Sequence, residues 1–186
     1  MSVEIKFENY FLFLLLLELF KISYLTHKDR IEMIGIYEKK LADVGIILPD
    51  APAPAANYVP FVLIGNVLYV SGQISQNDDG LILGKLGENM TTDEGAEAAK
   101  FCAINLLAQV KSACAGDLDR LRRVIKLTGF VNSTPDFTQQ PQVINGASDL
   151  FGNVLGDAGK HARVAVSANS LPLGVAVEID GVFEIA

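Results

Sequence analysis

HARVAVSA (161–168) and SLPLGVAVEIDGVFEI (170–185) are two β-rich runs set a few residues apart at the end of the chain. In the second, Val175, Val177, Ile179 and Phe183 alternate with Glu178 and Asp180, the period of a strand with one face on a core. In the first, Val164, Val166 and Ala168 alternate with Arg163, Ala165 and Ser167, which puts Arg163 on the less apolar face. Two strands are therefore expected over 163–168 and 173–185.

Upstream, Val124–Val131 reads as a central strand. After the turn STPDF (133–137), a helix is expected from about Gln140 to Leu155. A longer helix precedes that strand. Thr91 at its cap places Glu94 at the third helical position, which completes a capping box, and Ala99, Cys102, Ala103, Leu106, Leu107, Val110 and Ala113 carry one apolar stripe toward Gly116. Tyr58–Ile64 and Val67–Ser71 flank Gly65-Asn66, a two-residue hairpin signal. The short apolar run Leu81–Leu83, entered through Asp-Asp-Gly, is expected to add a third strand. PDAPAPAAN (49–57) carries three prolines and reads as an extended linker. Before it, Ile34, Tyr37, Leu41 and Val44 stand at helical spacing and Gly45 supplies a stop. The expected order is β-β-β-α-β-α-β-β after a leading helix: an α+β fold with two helices on one face of a mixed sheet.

Residues 10–25, YFLFLLLLELFKISYL, are the most hydrophobic stretch, but Glu18 and Lys21 interrupt it. A bilayer span needs about 20 apolar residues, and a secretory signal needs a basic leader and a small-residue cleavage site, so neither pattern is met. Two readings stay open: a helix for a membrane surface or a partner, and an upstream extension with the native start near Met33. The organisation expected is an extension over 1–32 and one domain over 33–186.

The 186 residues carry a formal charge of −7, which disfavours nucleic acid because phosphate binding requires a basic surface. Cys102 and Cys114 are twelve helical residues, roughly 18 Å, apart, out of disulfide reach. Free thiols and the lack of a signal point to the cytoplasm. The two histidines, His27 and His161, have no second ligand at metal spacing.

Candidate chemistry rests on a few polar side chains. Arg163 is either a solvated strand arginine or a clamp whose planar fork holds a small carboxylate. Glu178 is either part of a polar strand face or a group that orients water and shuttles protons. Asn145 in VINGAS (143–148) points an amide from a helix. Tyr58 follows the proline-rich linker as a rim aromatic, and Gly72 in VSGQI (70–74) either bends a strand or lets a ligand approach the backbone.

In order, APAPAANYVPF (51–61), GNVLYVSGQIS (65–75), VIKLTGFVNSTPDF (124–137), VINGASDLF (143–151) and the two closing strands resemble the Rid, or YjgF-type, proteins, also labelled endoribonuclease L-PSP. That resemblance covers nearly all of the chain from Met33. It implies a homotrimer with clefts at subunit interfaces, in which Arg163 of the A-R-x-x-V context binds the substrate carboxylate. It makes Glu178 of V-x-V-E-I the holder of an attacking water, with Tyr58, Gly72 and Asn145 lining the cleft. The implied reaction is hydrolysis of small 2-imino or enamino acids such as 2-iminobutanoate, without cofactor or metal. A non-catalytic metabolite-binding trimer is the alternative, and an endoribonuclease is disfavoured by the charge. Where many relatives carry a cysteine two residues after the arginine, this chain has Ala165, which leaves a backbone carbonyl but no thiol.

Overall fold

The computed structural model describes residues 35–52 and 57–186. The readings placed on residues 10–25, Met33 and Ile34 lie outside the described residues, as does the middle of the proline-rich linker.

From Gly35 onward the chain packs around one core. Helix α1 (Ile36–Asp43) buries Leu41 and is followed by Gly45 with φ of +76°. Its N-terminus is capped from far along the chain: Asp119 Oδ2 and Oδ1 accept from the Ile36 and Tyr37 amides at 2.8 and 3.0 Å. Strands β1 (Phe61–Ile64) and β2 (Val67–Ile74) form the expected hairpin, with Gly65 at φ of +60°. Helix α2 (Thr92–Ala113) opens with both halves of the capping box, Thr91 to the Glu94 amide and Glu94 back to the Thr91 amide. Strand β5 (Leu121–Asn132) and helix α3 (Gln140–Leu155) follow, then β6 (Ala162–Ala168) and β7 (Val177–Ile185).

The sheet order is β1-β2-β7-β5-β6, with β5 and β6 parallel and the other neighbours antiparallel. It is a mixed sheet with α2 and α3 on one face, the α+β architecture the sequence implies. Leu127, Val131, Val177, Ile179 and Phe183 meet the α2 and α3 side chains in the core.

Two local expectations change. Leu81–Leu83 adds no strand to the main sheet: Gln76–Asn77 (β3) and Gly80–Leu81 (β4) make a separate two-stranded hairpin, and Leu83 forms one isolated bridge to Val175. Ser75 takes over this segment, its carbonyl accepting from the Ile82 amide and its hydroxyl donating to the Ile82 carbonyl, both at 2.9 Å. The last strand also starts later than Leu173, because Pro172–Gly174 is a single 3-10 turn with Leu173 at φ of +58°.

Among the described residues, no helix packs on the second face of the sheet. Cross-strand register aligns Ile74, Glu178, Phe130 and Val166 in one row across it, and Asp180, Thr128 and Val164 in the next. Val62, Tyr69, Val164 and Val166 lie on this face at 48, 48, 40 and 41% exposure. That is an exposed apolar surface interrupted by the β7 carboxylates.

Candidate functional site

Arg163 pairs with Leu127, a core residue of β5, so its side chain leaves the sheet on the helix-bearing face. The apolar Val164 and Val166 therefore occupy the uncovered face, the reverse of what buried-valine alternation suggests. The reason is position: β6 is an edge strand. Beside it α3 offers polar partners to Arg163 rather than apolar ones.

Nη1 of Arg163 donates to Asn145 Oδ1 at 2.9 Å and to Ser148 Oγ at 3.0 Å, and Nη2 donates to the Pro141 carbonyl at 3.4 Å. A guanidinium has five donors. Both Nη1 hydrogens and one on Nη2 are thus engaged, leaving Nε–H and the second Nη2–H as the two donors free for a carboxylate. Among the described residues no carboxylate pairs with Arg163. A cleft of about 350 Å³ beside it is lined by Ser148, Gly152, Gly159, Lys160, His161 and Arg163.

Glu178 stands on the opposite, uncovered face, paired with Phe130 and Ile74. Strand β2 bulges between Val70 and Gln73, and Gly72 in that bulge touches the Glu178 carboxylate: a Cβ at Gly72 would fall 2.1 Å from Oε1. A side chain at Gly72 would therefore displace the Glu178 carboxylate, the end of a flexible side chain, from its place against β2. Ser71 ties the bulge to the linker, its amide donating to Pro60 and its hydroxyl to Val59 at 2.9 and 2.8 Å. Tyr58, half exposed, is therefore one residue from a segment fixed against Gly72.

The candidate residues thus fall into two groups within one chain. Arg163 and Asn145 meet, with Ala165 two residues along β6 on the same face; Gly72 and Glu178 meet on the other face, near the Tyr58 segment. The sheet separates the groups. Sequence reasoning missed Ser148, His161 and the Pro141 carbonyl as partners around Arg163. Spacing held a signal for two of them, since Ser148 is three residues beyond Asn145 on one helix face and His161 is two residues before Arg163.

Burial pushes the Glu178 carboxyl above its ordinary range, and the Asp180 carboxylate two residues along β7 adds to the shift. An acid with a raised folded-state pKa binds its proton more tightly folded than unfolded, so its ionisation opposes folding. The penalty is full above the folded pKa and vanishes as pH falls below the unfolded value of about 4.3. Glu178→Gln is therefore expected to melt above wild type at pH 8, with the gap closing on acidification toward about pH 4. Thermal unfolding across that range checks it; equal melting at pH 8 would show that the ionised carboxylate is fully compensated.

Cys102 and Cys114 are free and buried, and burial raises both thiols. They are core residues rather than nucleophiles. No helix among the described residues is long and apolar enough to cross a membrane.

A family model described as "YjgF/chorismate_mutase-like, putative endoribonuclease" matches residues 38–182, from within α1 into β7. The chain belongs to the YjgF family. Protein TCP17 of Trypanosoma cruzi is 50% identical over 153 residues, 81% of this chain and 95% of that protein. The crystal structure of protein Atu1372 from Agrobacterium tumefaciens has a TM-score of 0.76 at 49% identity, covering 81% of this chain and 93% of that one. A protein named 2-iminobutanoate/2-iminopropanoate deaminase, from Dermatophagoides farinae, is 27% identical over 140 residues, 75% of this chain and 94% of that protein.

Proposed function

We propose that this YjgF-family protein hydrolyses small 2-imino or enamino acids to 2-oxo acids and ammonia, in clefts that two subunits of a homotrimer build together. The observation that carries the reading is the Arg163 guanidinium, held on its Nη1 side by Asn145 and Ser148 while two donors stay free for a carboxylate. The relative named as an imine deaminase supports the reaction class. The uncovered, partly apolar sheet face around Glu178 supports association with further copies.

In the proposed cleft, Arg163 of one subunit fixes the substrate carboxylate. The Ala165 carbonyl and the Glu178 carboxylate of the neighbouring subunit hold a water, with Tyr58, Gly72 and Asn145 lining the remaining walls. An imine carbon is already electrophilic, so orientation and a placed nucleophile supply most of what is needed. The water oxygen bonds to that carbon as the C=N π pair moves onto nitrogen, and Glu178 takes one water proton and passes it to that nitrogen, giving the carbinolamine. Collapse of the carbinolamine expels ammonia, the proton relayed through Glu178, and leaves the 2-oxo acid. The raised carboxyl of Glu178 brings its proton affinity nearer to that task. No metal or cofactor enters this scheme. A thioether or thiol is not needed either, because Ala165 contributes its backbone oxygen. Two free buried thiols are in keeping with the cytoplasm, where such imines arise from amino-acid breakdown.

The test generates 2-iminobutanoate and 2-iminopropanoate in place with an amino-acid oxidase and traps surviving imine with semicarbazide. Wild-type protein is expected to compete with the trap and to release ammonia faster than buffer. No acceleration with either imine, together with stable binding of the corresponding 2-oxo acids, would assign the fold to metabolite binding without catalysis.

A further inference from the structure

The side chains beside Arg163 form a chain of hydrogen bonds from Gly159 through His161 and Ser148 to the guanidinium. Gly159, in the 3-10 turn Gly156–Gly159 after α3, presents its carbonyl to His161 Nδ1 at 2.5 Å. A carbonyl only accepts, so Nδ1 carries a proton, and in the tautomer with that single ring proton Nε2 is an acceptor. Ser148 Oγ lies 3.0 Å from Nε2 and in that tautomer donates to it. Its lone pairs then face Arg163 Nη1, which donates to the same oxygen at 3.0 Å.

The anchor of this chain is stiff. A Cβ at Gly159 would lie 2.2 Å from the Phe151 carbonyl oxygen, so that backbone rests directly on the end of α3. The Phe151 ring meets His161 edge-on, with centroids 6.0 Å apart and planes at 75°, which limits rotation of the imidazole. Ser148 sits one helical turn past Asn145, so both acceptors for Nη1 come from one face of one helix.

We infer that Ser148 and His161 are positioning residues: they fix the rotation of the Arg163 guanidinium by occupying Nη1, so that its remaining Nε and Nη2 donors are held in one orientation for the ligand. The ligand class is a small carboxylate, and this part of the inference rests on the proposed function. Ser148 supplies the acceptor that occupies Nη1, and His161 turns the Ser148 hydroxyl hydrogen away from the guanidinium. Without that acceptor one Nη1 hydrogen is free, the planar group can turn, and the two free donors are no longer pre-aligned.

The test uses Ser148→Ala, His161→Phe and His161→Gln, whose amide oxygen can accept near the Nε2 position. Two readouts are taken. In the arginine side-chain 15N–1H spectrum, Arg163 is expected to show slow rotation about its Cζ–Nη bonds in wild type and His161→Gln, and fast rotation in Ser148→Ala and His161→Phe. With 2-oxobutanoate as probe, Kd is expected to rise roughly tenfold in Ser148→Ala and His161→Phe, the effect of one hydrogen bond of about 1.4 kcal/mol, and to return to within about threefold in His161→Gln. For imine hydrolysis the same variants are expected to raise KM while kcat changes little. An Arg163 spectrum unchanged by both Ser148→Ala and His161→Phe would overturn the inference, whatever the activity. Faster Arg163 rotation in a protein that neither hydrolyses imines nor binds 2-oxobutanoate would keep the positioning role and overturn the proposed function instead.

Discussion

Arg163→Ala and Glu178→Gln subunits, each expected to be at least about thirtyfold less active alone, are expected to recover roughly a quarter of the wild-type clefts when refolded together as mixed trimers. The single losses follow from removing one partner of a desolvated charge interaction, which costs roughly 2 to 5 kcal/mol, or at least about thirtyfold. The recovery follows from the register of the sheet. Arg163 shares a face with Leu127, and Glu178 shares the opposite face with Phe130, so one subunit cannot direct both side chains at one small molecule. In a mixed trimer with the proposed intersubunit clefts, a working cleft needs its arginine from a Glu178→Gln subunit and its glutamate from an Arg163→Ala subunit. Random assembly places that combination at about one cleft in four. A site built within one chain would give no recovery at any mixing ratio. Arg163→Lys is expected to remain impaired in the same assay, because an ammonium cannot reproduce a planar pair of donors.

Gly146→Ala and Gly152→Ala, six positions apart on α3, are expected to move stability in opposite directions. Both gain helix propensity, worth about 1 kcal/mol for glycine to alanine. At Gly152 nothing lies within 4 Å of the new Cβ, so the gain is expected to survive in part as a raised urea midpoint. At Gly146 the Cβ would stand 1.8 Å from the Ala96 carbonyl oxygen and 2.6 Å from its carbon. Those are backbone atoms of α2, and they yield only if the two helices separate. Overpacking of a well-packed core typically costs about 1 to 3 kcal/mol, and a collision with main chain belongs at the top of that range. The net expectation is a loss of about 2 kcal/mol, read by urea unfolding at fixed protein concentration because association contributes to apparent stability. A Gly146→Ala protein as stable as wild type would mean that α2 and α3 slide apart without disturbing Phe151 and Phe183, which pack at 6.1 Å beneath them.

Local chemistry made much of the chain legible. Thr91 and Glu94 announce the start of α2, Gly65-Asn66 announces a hairpin, and the alternation in β7 places Glu178 and Asp180 off the core. Each signal is complete within a few residues, so no distant partner can alter it. Leu81–Leu83 was not legible in this way. Three apolar residues satisfy a strand pattern, but the backbone groups of Ile82 are claimed by Ser75, just past the end of β2, and by Ala176, just before β7 and distant in sequence. The face of β6 was equally hidden. Alternation tells which residues share a face but not which face a helix covers, and on an edge strand the apolar set can be the uncovered one.

By itself the sequence determined the order and kind of the elements, the family, and the residue types able to bind a carboxylate and move a proton, because periodicity, caps and motifs are local properties. Only the tertiary structure decided that Arg163 and Glu178 stand on opposite sides of the sheet, and that Asn145, Ser148 and His161 gather beside the arginine. Those relations depend on strand register and on where α3 crosses the sheet edge, and both are set by how the whole core packs.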